Sequence, residues 1–300
     1  MGECILMPTN VGVETQNALA GLGKWGLVRD DSQTEFPHRV YRDERKNVYS
    51  SVTHILQETS TQEQKDALAR WAARPSSSME RDLAAKRGNL AHSHAEYILK
   101  TAAKLTRQVG NKRGVWSTGG DGLERCPPKV CSWGIQKAIS NAPRVSWSAS
   151  GYARGLRTFI EASIAGIHAV EFSVHYLPKG AKHGFAGTAD CLVDVFRPGP
   201  GGSTYPDGPF IVDWKTSVNA RSEELLRNYK DQLGAYSLGL TENTGGLRAK
   251  GAIIVVARRS GHPQVKFMDQ MQLWDAEARF SQRFERYLDS MKKPLDLAAG

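Results

Sequence analysis

The apolar and polar positions of the chain predict helices in its first half and mainly strands in its second half. Apolar residues recur at helical spacing over about 62–74, from 79 to about 105, and again over about 151–164. Further helices are predicted at about 222–240 and from Asp269 onward. Runs rich in β-branched and aromatic residues predict strands at 168–176, 185–196, 210–216, 251–257 and 264–268.

This order of elements predicts an α/β fold. Three consecutive strands, a helix, two more strands and a last helix favour a mixed β-sheet flanked by helices, with an added helical N-terminal half. The strand at 251–257 is apolar throughout, which predicts a central place in the sheet. Residues 1–45 have no clear period and are interpreted as an irregular leader with one short hairpin around Phe36–Tyr41. We expect a single domain over 46–295.

Residues 106–148 combine weak periodicity with many Gly, Ser, Pro, Trp and basic residues, which is typical of an irregular insertion. Residues 81–160 hold 14 Lys and Arg against four Asp and Glu, whereas the whole chain has a net charge of +9. Such a block is typical of a surface that binds polyanions, and a solubilising surface is the alternative. Lys112, Arg113 and Trp116 are candidate contacts to a single strand; packing of the tryptophan against the core is equally compatible.

Composition excludes several classes of protein. Hydrophobic residues make up 40% of the chain, which permits a substantial core and argues against intrinsic disorder. Four cysteines in 300 residues do not make a disulfide framework, and Cys126 and Cys131 have no second ligand pair nearby, so reduced thiols are expected. No apolar run of membrane-spanning length and no signal core is present. We expect a cytoplasmic protein without a membrane partner.

Acidic residues interrupt the predicted strand at 185–196. Asp190 is expected to share a face with Asp194, while Ala189 and Cys191 face the core on the other side. The glycine before Asp190 in Gly-Thr-Ala-Asp favours this aspartate as the functional one, because glycine lets strands approach closely. Asp194 remains the alternative in case the register differs.

Asp213 and Lys215 lie two residues apart on the next predicted strand, so their side chains point the same way. An acid and an amine on one face of an apolar strand are costly to bury without a partner or a task. Carboxylates converging from neighbouring strands suit Mg²⁺, and a lysine beside them can hold a water or a phosphate. This combination is typical of phosphodiester hydrolysis.

Six short elements follow one another between residues 49 and 256. They are Tyr49–Leu56 with Trp71, Arg87–His92 with Glu96, Glu171, Gly187–Asp190, Asp213–Thr216 and Gln232–Tyr236. In this order they resemble the PD-(D/E)XK nuclease superfamily, and within it the RecB-like exonuclease branch, which includes phage exonucleases and the mitochondrial genome maintenance exonuclease. The literal Pro-Asp of the superfamily name is absent, since Ala189 precedes Asp190.

The resemblance implies a role for each matching residue. The implied catalytic residues are Asp190, Asp213, Lys215 and Glu171. The implied metal ligands are His92, Asp190, Asp213 and the main-chain carbonyl of Trp214. The implied substrate-binding residues are Gln232, Tyr236 and Thr216. Simpler interpretations stay open for several of these, namely a surface or core histidine for His92, a solvent-facing strand position for Glu171 and core packing for Tyr236.

The resemblance further implies a metal-dependent DNA exonuclease that uses Mg²⁺, or Mn²⁺ in its place, and prefers single strands or DNA ends. No iron–sulfur cluster is expected, because the cluster cysteines of some relatives have no counterpart. A recombination or replication protein is a possible partner. The expected location is the cytoplasm, that of the host if the protein is phage-encoded, rather than the mitochondrion. The alternatives are a structure- or sequence-specific endonuclease, a non-catalytic DNA-binding module, and RNA as substrate.

Overall fold

The computed structural model describes residues 27–30, 38, 40–199, 201 and 203–292. In this part of the chain the strands are β1 (Val28–Asp30), β2 (Val40–Arg42), β3 (Val48–Ser51), β4 (Ser117–Thr118), β5 (Glu124–Arg125), β6 (Ile164–Tyr176), β7 (His183–Pro198), β8 (Thr204–Ser217), β9 (Gly251–Arg258) and β10 (Gln264–Met268). The helices are α1 (Val52–Glu58), α2 (Gln62–Ala72), α3 (Ser77–Arg113), α4 (Pro128–Asn141), α5 (Trp147–Ser163), α6 (Glu223–Asn243) and α7 (Gln270–Lys292).

One mixed sheet organises the fold. Its strands follow the order β1–β2–β3–β7–β8–β9–β10, and β6 pairs with β7 outside that path. The strands β6, β7 and β8 form an antiparallel meander, whereas β3 with β7 and β8 with β9 are parallel pairs. The expected α/β architecture with a mixed sheet is therefore confirmed.

The strand β7 has two successive partners along the edge that faces away from β6. Its first residues pair with β3 up to Ala186, and its later residues pair with β8 from Cys191 onward. Between them, residues 187–190 have no strand partner on that edge within the described part of the chain, although β6 continues beside them on the other. The sheet thus divides at this point into what we call the fork, defined by residues 187–190 and the ends of β3 and β8 next to them.

Helices cover both faces of the sheet and bury two cores. The helices α1, α6 and α7 pack on one face and α3, α4 and α5 on the other. In β9, Ile254 and Val256 belong to the first core, while Ile253 and Val255 belong to the second. Because successive strand residues alternate in direction, a strand buried on both faces must be apolar throughout. This confirms the interior position expected for residues 251–257.

The expectation of mainly irregular structure over 106–148 is wrong. Helix α3 continues to Arg113 and ends at Gly114, whose φ of 61° is left-handed and suits a glycine cap. Helix α4 begins with Pro128, and proline is tolerated there because the first-turn N–H groups lack helical partners. Its apolar residues join the second core, namely Cys131, Ile135, Ala138 and Ile139. Prolines and glycines at helix ends give the sequence here the composition of a loop.

The N-terminal segment also differs from the expectation. The strands β2 and β3 pair antiparallel over 40–51 and extend the main sheet through β7, so part of the expected leader is regular structure. The observed hairpin begins at Val40, near the end of the one expected at Phe36–Tyr41, and half of that expected range is outside the described residues. Strands of three or four residues are too short for periodicity to reveal them. None of the described helices is both long and apolar enough to span a membrane.

Candidate active site

The fork positions Asp190 through a side chain rather than through strand pairing. The Trp214 backbone N–H donates a hydrogen bond to Oδ2 of Asp190 at 2.5 Å, so the carboxylate takes the place of a missing backbone partner. Ala189 packs in one core and Cys191 in the other, although residues two apart on a regular strand share a face. The alternation of β7 therefore breaks at Asp190. This corrects the expectation that Ala189 and Cys191 face the same way.

Asp213 and Lys215 share a face of β8, as their spacing predicts. Nζ of Lys215 lies 2.5 Å from Oδ2 of Asp213, and the side chain of Asp213 is only 3% exposed. Burial raises the pKa of Asp213 to about 6, although the ammonium of Lys215 opposes the rise. Burial alone would lower the pKa of Lys215, but the charges of Asp213 and Asp190 raise it above its ordinary value. The lysine is therefore held as a cation among carboxylates.

Glu171 approaches the fork from β6. The pairing of the flanking residues puts it opposite Asp190, but its φ of 51° lies in the left-handed region, which costs a non-glycine residue free energy. Burial, and then the charges of Asp190 and Glu96, raise the pKa of Glu171 to about 7. Glu171 also shares a side-chain hydrogen bond with Asp190. A strained backbone that brings a second carboxyl against Asp190 is typical of a functional site.

Helix α3 brings His92 to the same point. Nδ1 of His92 lies 3.4 Å from Oδ1 of Asp190. Burial would lower the pKa of His92, but the hydrogen bond and charge of Asp190 raise it. The helix can lie this close because of Gly88, where an added Cβ would be 3.1 Å from Oγ1 of Thr216. Glu96, one turn beyond His92, is partly exposed and pairs with Lys100 at 2.6 Å.

Helix α6 supports the fork from the opposite face of the sheet. Nε2 of Gln232 donates a hydrogen bond to the Tyr236 hydroxyl at 2.6 Å, and both side chains are buried. The Tyr236 ring packs on Gly187, where an added Cβ would be 2.6 Å from Cε1 of the ring. Nζ of Lys215 lies 5.0 Å from the centre of the Tyr229 ring. Burial favours a positioning role for Gln232 and Tyr236 over direct contact with a substrate.

The structure separates the remaining candidates from the fork. Lys112 and Arg113 lie at the end of α3, about 30 Å along the helix from His92 at 1.5 Å per residue. Trp116 packs on Gly110, where an added Cβ would be 2.7 Å from the indole ring, and the indole N–H donates a hydrogen bond to a neighbouring asparagine at 2.8 Å. These three candidates do not join the cluster around Asp190.

A cavity of about 550 Å³ lies between α3, the β4–β5 hairpin and β6. Trp116 lines it together with Lys104 and Arg107. Lys104 and Arg107 are not among the candidate contacts predicted from the sequence. The signal was present, because Lys100, Lys104 and Arg107 recur at the spacing of one helical face.

Asp194 has a structural task instead of a place at the fork. It lies 2.9 Å from Nε of Arg125 and 3.0 Å from Nε2 of His168, and it is buried. Burial would raise the pKa of Asp194, but the hydrogen bond of His168 and the charges of His168 and Arg125 lower it. Asp194 therefore fastens the β4–β5 hairpin to the sheet. The alternative that it replaces Asp190 finds no support.

A family model of the PD-(D/E)XK nuclease superfamily matches residues 64–299, most of the chain. The chain belongs to the PD-(D/E)XK nuclease superfamily. No curated protein matches it. Among solved structures, the crystal structure of a candidate exonuclease from Eubacterium rectale is similar, with 15% sequence identity and a TM-score of 0.32. That similarity covers 62% of this chain and 66% of the other, slightly less than two thirds of its length.

PD-(D/E)XK nucleases typically use divalent metal ions, and the donors at the fork suit such an ion. Oδ2 of Asp213 is buried, makes no well-formed hydrogen bond within the described residues, and lies 2.5 Å from the lysine ammonium. Carboxylate oxygens are the ligands that Mg²⁺ prefers. No three His, Cys, Asp or Glu side chains in the described part of the chain are already gathered as a metal cluster. The chemistry of the donors fits, while the full ligand set is not preassembled.

Proposed function

We propose that this PD-(D/E)XK nuclease is a metal-dependent DNA exonuclease of the RecB-like branch that prefers single strands or DNA ends. The observation that carries the proposal is the convergence of Asp190, Asp213 and Lys215 at the fork, in a chain of a nuclease superfamily. Glu171 and His92 reach the same carboxylate from β6 and α3. Five polar groups from four elements at one gap in a sheet are otherwise costly to bury.

The ligands we propose for Mg²⁺, or for Mn²⁺ in its place, are Asp190, Asp213, the Trp214 carbonyl and His92. When bound, such an ion lowers the pKa of a water and offsets charge on a phosphate. Oδ2 of Asp213 is buried, makes no well-formed hydrogen bond within the described residues, and is one of the donors we propose for the ion.

Lys215 supplies the second part of the proposed chemistry. Its ammonium is ion-paired with Asp213 and lies over the Tyr229 ring, so its position is fixed from two sides. A fixed ammonium donates hydrogen bonds to an attacking water or to a phosphate oxygen whose charge grows in the transition state. Glu171, hydrogen-bonded to Asp190, holds that carboxylate in orientation. Gln232 and Tyr236 act indirectly, by supporting the backbone at Gly187.

Two openings, one beside the fork and one farther along α3, support a single strand as the substrate. A groove of about 400 Å³ is lined by Trp71, Arg81, His92 and Thr216, and the 550 Å³ cavity is lined by basic residues of α3 and by Trp116. Aromatic faces with nearby cations suit unpaired bases and their backbone. We propose that Thr216 contacts the strand at the first opening. In this proposal Lys112, Arg113 and Trp116 bind the strand farther along α3.

The test compares linear with circular single-stranded DNA of the same sequence, in Mg²⁺ and in EDTA. The proposal predicts that end-labelled linear strands are degraded to short products in Mg²⁺ only, while circles persist. Cutting of circles at rates similar to linear strands would replace the exonuclease with an endonuclease. Binding without hydrolysis in either Mg²⁺ or Mn²⁺ would identify a non-catalytic DNA-binding module. A parallel RNA strand decides between the two nucleic acids.

The proposed setting follows from the resemblance to RecB-like exonucleases. We place the protein in the cytoplasm, with DNA as its partner and a recombination or replication protein as a second one. We also propose that residues 46–295 act as a single nuclease domain. Pull-down from cells whose DNA has been digested with a nuclease tests the second partner, because only a direct protein contact survives that treatment.

A further inference from the structure

A second charged cleft lies between α6, α7 and the turn from α1 to α2. It encloses about 210 Å³ and contains four arginines and one acid. We call it the arginine cleft, defined by Arg227, Arg279, Arg283, Arg286 and Asp231. It is on a face of α6 next to the one that carries Tyr229 and Gln232, as helical spacing requires. The remaining described lining residues are uncharged.

The base of the arginine cleft is rigid. Arg283 is buried, and its guanidinium donates hydrogen bonds to Thr59 Oγ1 at 2.8 Å, to Asn228 at 2.8 Å, to Asp231 at 3.0 Å and to the Leu56 carbonyl. Nε of Arg279 donates to the other oxygen of Asp231 at 2.8 Å. Asp231 therefore pairs with both Arg279 and Arg283, and its single negative charge cannot also neutralise the other two arginines of the cleft.

The rim of the arginine cleft carries two arginines that have no ion-paired acid among the described residues. Arg227 and Arg286 are exposed, and neither forms an ion pair with an acid of the described residues. Both act on Arg283, whose pKa is lowered by burial first and then, against Asp231, by the charges of Arg286 and Arg227. Like charges gathered around a fixed guanidinium are unfavourable until an anion arrives.

Phosphate is the anion that this chemistry recognises best. Guanidinium groups present several N–H donors in a planar fork that matches phosphate oxygens, and they remain charged at every working pH. A neighbouring groove, which Arg227 and Arg279 also border, holds Glu223, Glu224 and Asp275. Those acids confine the anion to the side of Arg283 and Arg286. The cavity is small, so it fits a single phosphate group rather than a whole nucleotide.

Helix α2 connects the arginine cleft to the fork. Thr61 and Gln64 line the cleft at the start of α2, while Trp71 lines the groove beside His92 at its end. The seven helical steps from Gln64 to Trp71 span about 10 Å, which is about three stacked nucleotides of one strand. No residue of α2 is buried, so the helix surface between the two openings faces solvent.

We infer that the arginine cleft binds a backbone phosphate of the nucleic-acid strand whose scissile bond lies at the fork. The inference rests on the proposed nuclease function and adds an anchor a few nucleotides from the site of hydrolysis. The anchor holds the strand by its phosphate alone, so its contribution is independent of base sequence. It also fixes the distance between the held phosphate and the bond to be cut.

The test uses the double variant Arg227→Ala/Arg286→Ala, with Arg248→Ala as the matched control. Arg248 is an exposed arginine after the far end of α6, outside the cleft. Binding of a fluorescent single-stranded oligothymidylate is measured in EDTA, so that nothing is cleaved, over a series of salt concentrations. The double variant should bind about tenfold more weakly, with a salt slope shallower by about 0.7, the value of one released counterion on a single strand. The control should match the wild type.

A second arm tests the cleft without DNA. Inorganic phosphate should raise the melting temperature of the wild type and of Arg248→Ala more than that of the double variant. Without phosphate the double variant should melt no lower than the wild type, because its substitutions remove like-charge repulsion rather than a contact. A markedly lower melting temperature would overturn the inference, since these arginines would then be structural.

The outcomes separate the cleft from the proposed function. Equal strand binding by the wild type and the double variant overturns the inference while leaving the nuclease proposal intact. Stabilisation by phosphate without any difference in strand binding assigns the cleft to a free phosphate and also overturns it. Absence of both strand binding and hydrolysis in the wild type would sink the proposed function and the inference together.

Discussion

Asp190 shows how much of the site depends on single side chains. Its carboxylate accepts a hydrogen bond from the Trp214 N–H, contacts His92 and shares a hydrogen bond with Glu171. One residue therefore joins β8, α3 and β6 at the point where one edge of β7 passes from pairing with β3 to pairing with β8. Substitution of Asp190 would remove contacts to three elements at once. A loss of activity in such a variant could therefore reflect a change of structure as well as a loss of catalysis.

Sequence could predict some of these residues and not others. The pairing of Asp213 with Lys215 follows from strand alternation, and the structure confirms that they meet. The left-handed backbone of Glu171 does not follow from any local rule, because glutamate has no preference for a φ of 51°. Tertiary packing imposes that conformation, so only the structure reveals it.

Gly187→Ala tests the packing behind the fork. An added Cβ would be 2.6 Å from the Tyr236 ring, and that ring is buried and held by Gln232, so it has little room to move. We expect a loss of about 2 kcal/mol in the free energy of unfolding. The control is Gly120→Ala, where an added Cβ meets no atom within 4 Å, and it should change stability by less than about 0.5 kcal/mol. Equal denaturant midpoints for both variants would contradict this account.

Helices α3 and α4 show why the ends of helices are harder to predict from sequence than the helices themselves. Apolar periodicity predicts the long helices, but the glycines and prolines of 106–148, which include Gly114 and Pro128, favour an irregular segment. The same residues begin α4 and cap α3 once tertiary contacts are available. Helix α4 has only 14 residues, and its apolar residues pack beside α3 in the second core. The helical spacing of those residues is hard to recognise in the sequence until the ends of the helix are known.

The ion pair between Asp194 and Arg125 joins the β4–β5 hairpin to the main sheet, and its contribution to stability can be measured. Asp194→Asn removes the charge that pairs with Arg125 and His168, and the partly exposed Arg125 is left without one of its two acids. We expect a loss of about 3 kcal/mol in the free energy of unfolding near pH 7. Denaturant unfolding monitored by circular dichroism measures it.

The same variant has a defined pH dependence. The folded-state pKa of Asp194 lies below its ordinary value, so its stabilisation is complete above the unfolded pKa of about 3.9 and is lost as pH falls through the folded pKa. The stability difference between wild type and Asp194→Asn should therefore shrink as pH falls below about 4. A difference that grows below that pH would contradict the role given to this carboxylate.

In the whole molecule, the proposed active site lies at the fork of a sheet that is covered by helices on both faces. The α/β class was predictable because β9 is apolar on both faces and the helices that cover it are long and periodic. The short strands β2 and β3 were not, because they are stable only as additions to β7. The fork itself depends on which strands end beside which, and this is a property of topology rather than of any local pattern.

The most direct measurement of the central claim is the rate of single-stranded DNA hydrolysis in Mg²⁺ by wild type, Lys215→Ala and Lys250→Ala. Lys250 carries the same charge and is also ion-paired with an aspartate, at 2.9 Å, but it is exposed and outside the fork. Lys215→Ala should lose about 10²- to 10³-fold in rate while remaining folded, because a fixed donor to the reacting phosphate or water is gone. Lys250→Ala should stay close to the wild type. Hydrolysis by Lys215→Ala at the wild-type rate would contradict the assignment of the fork as the nuclease site.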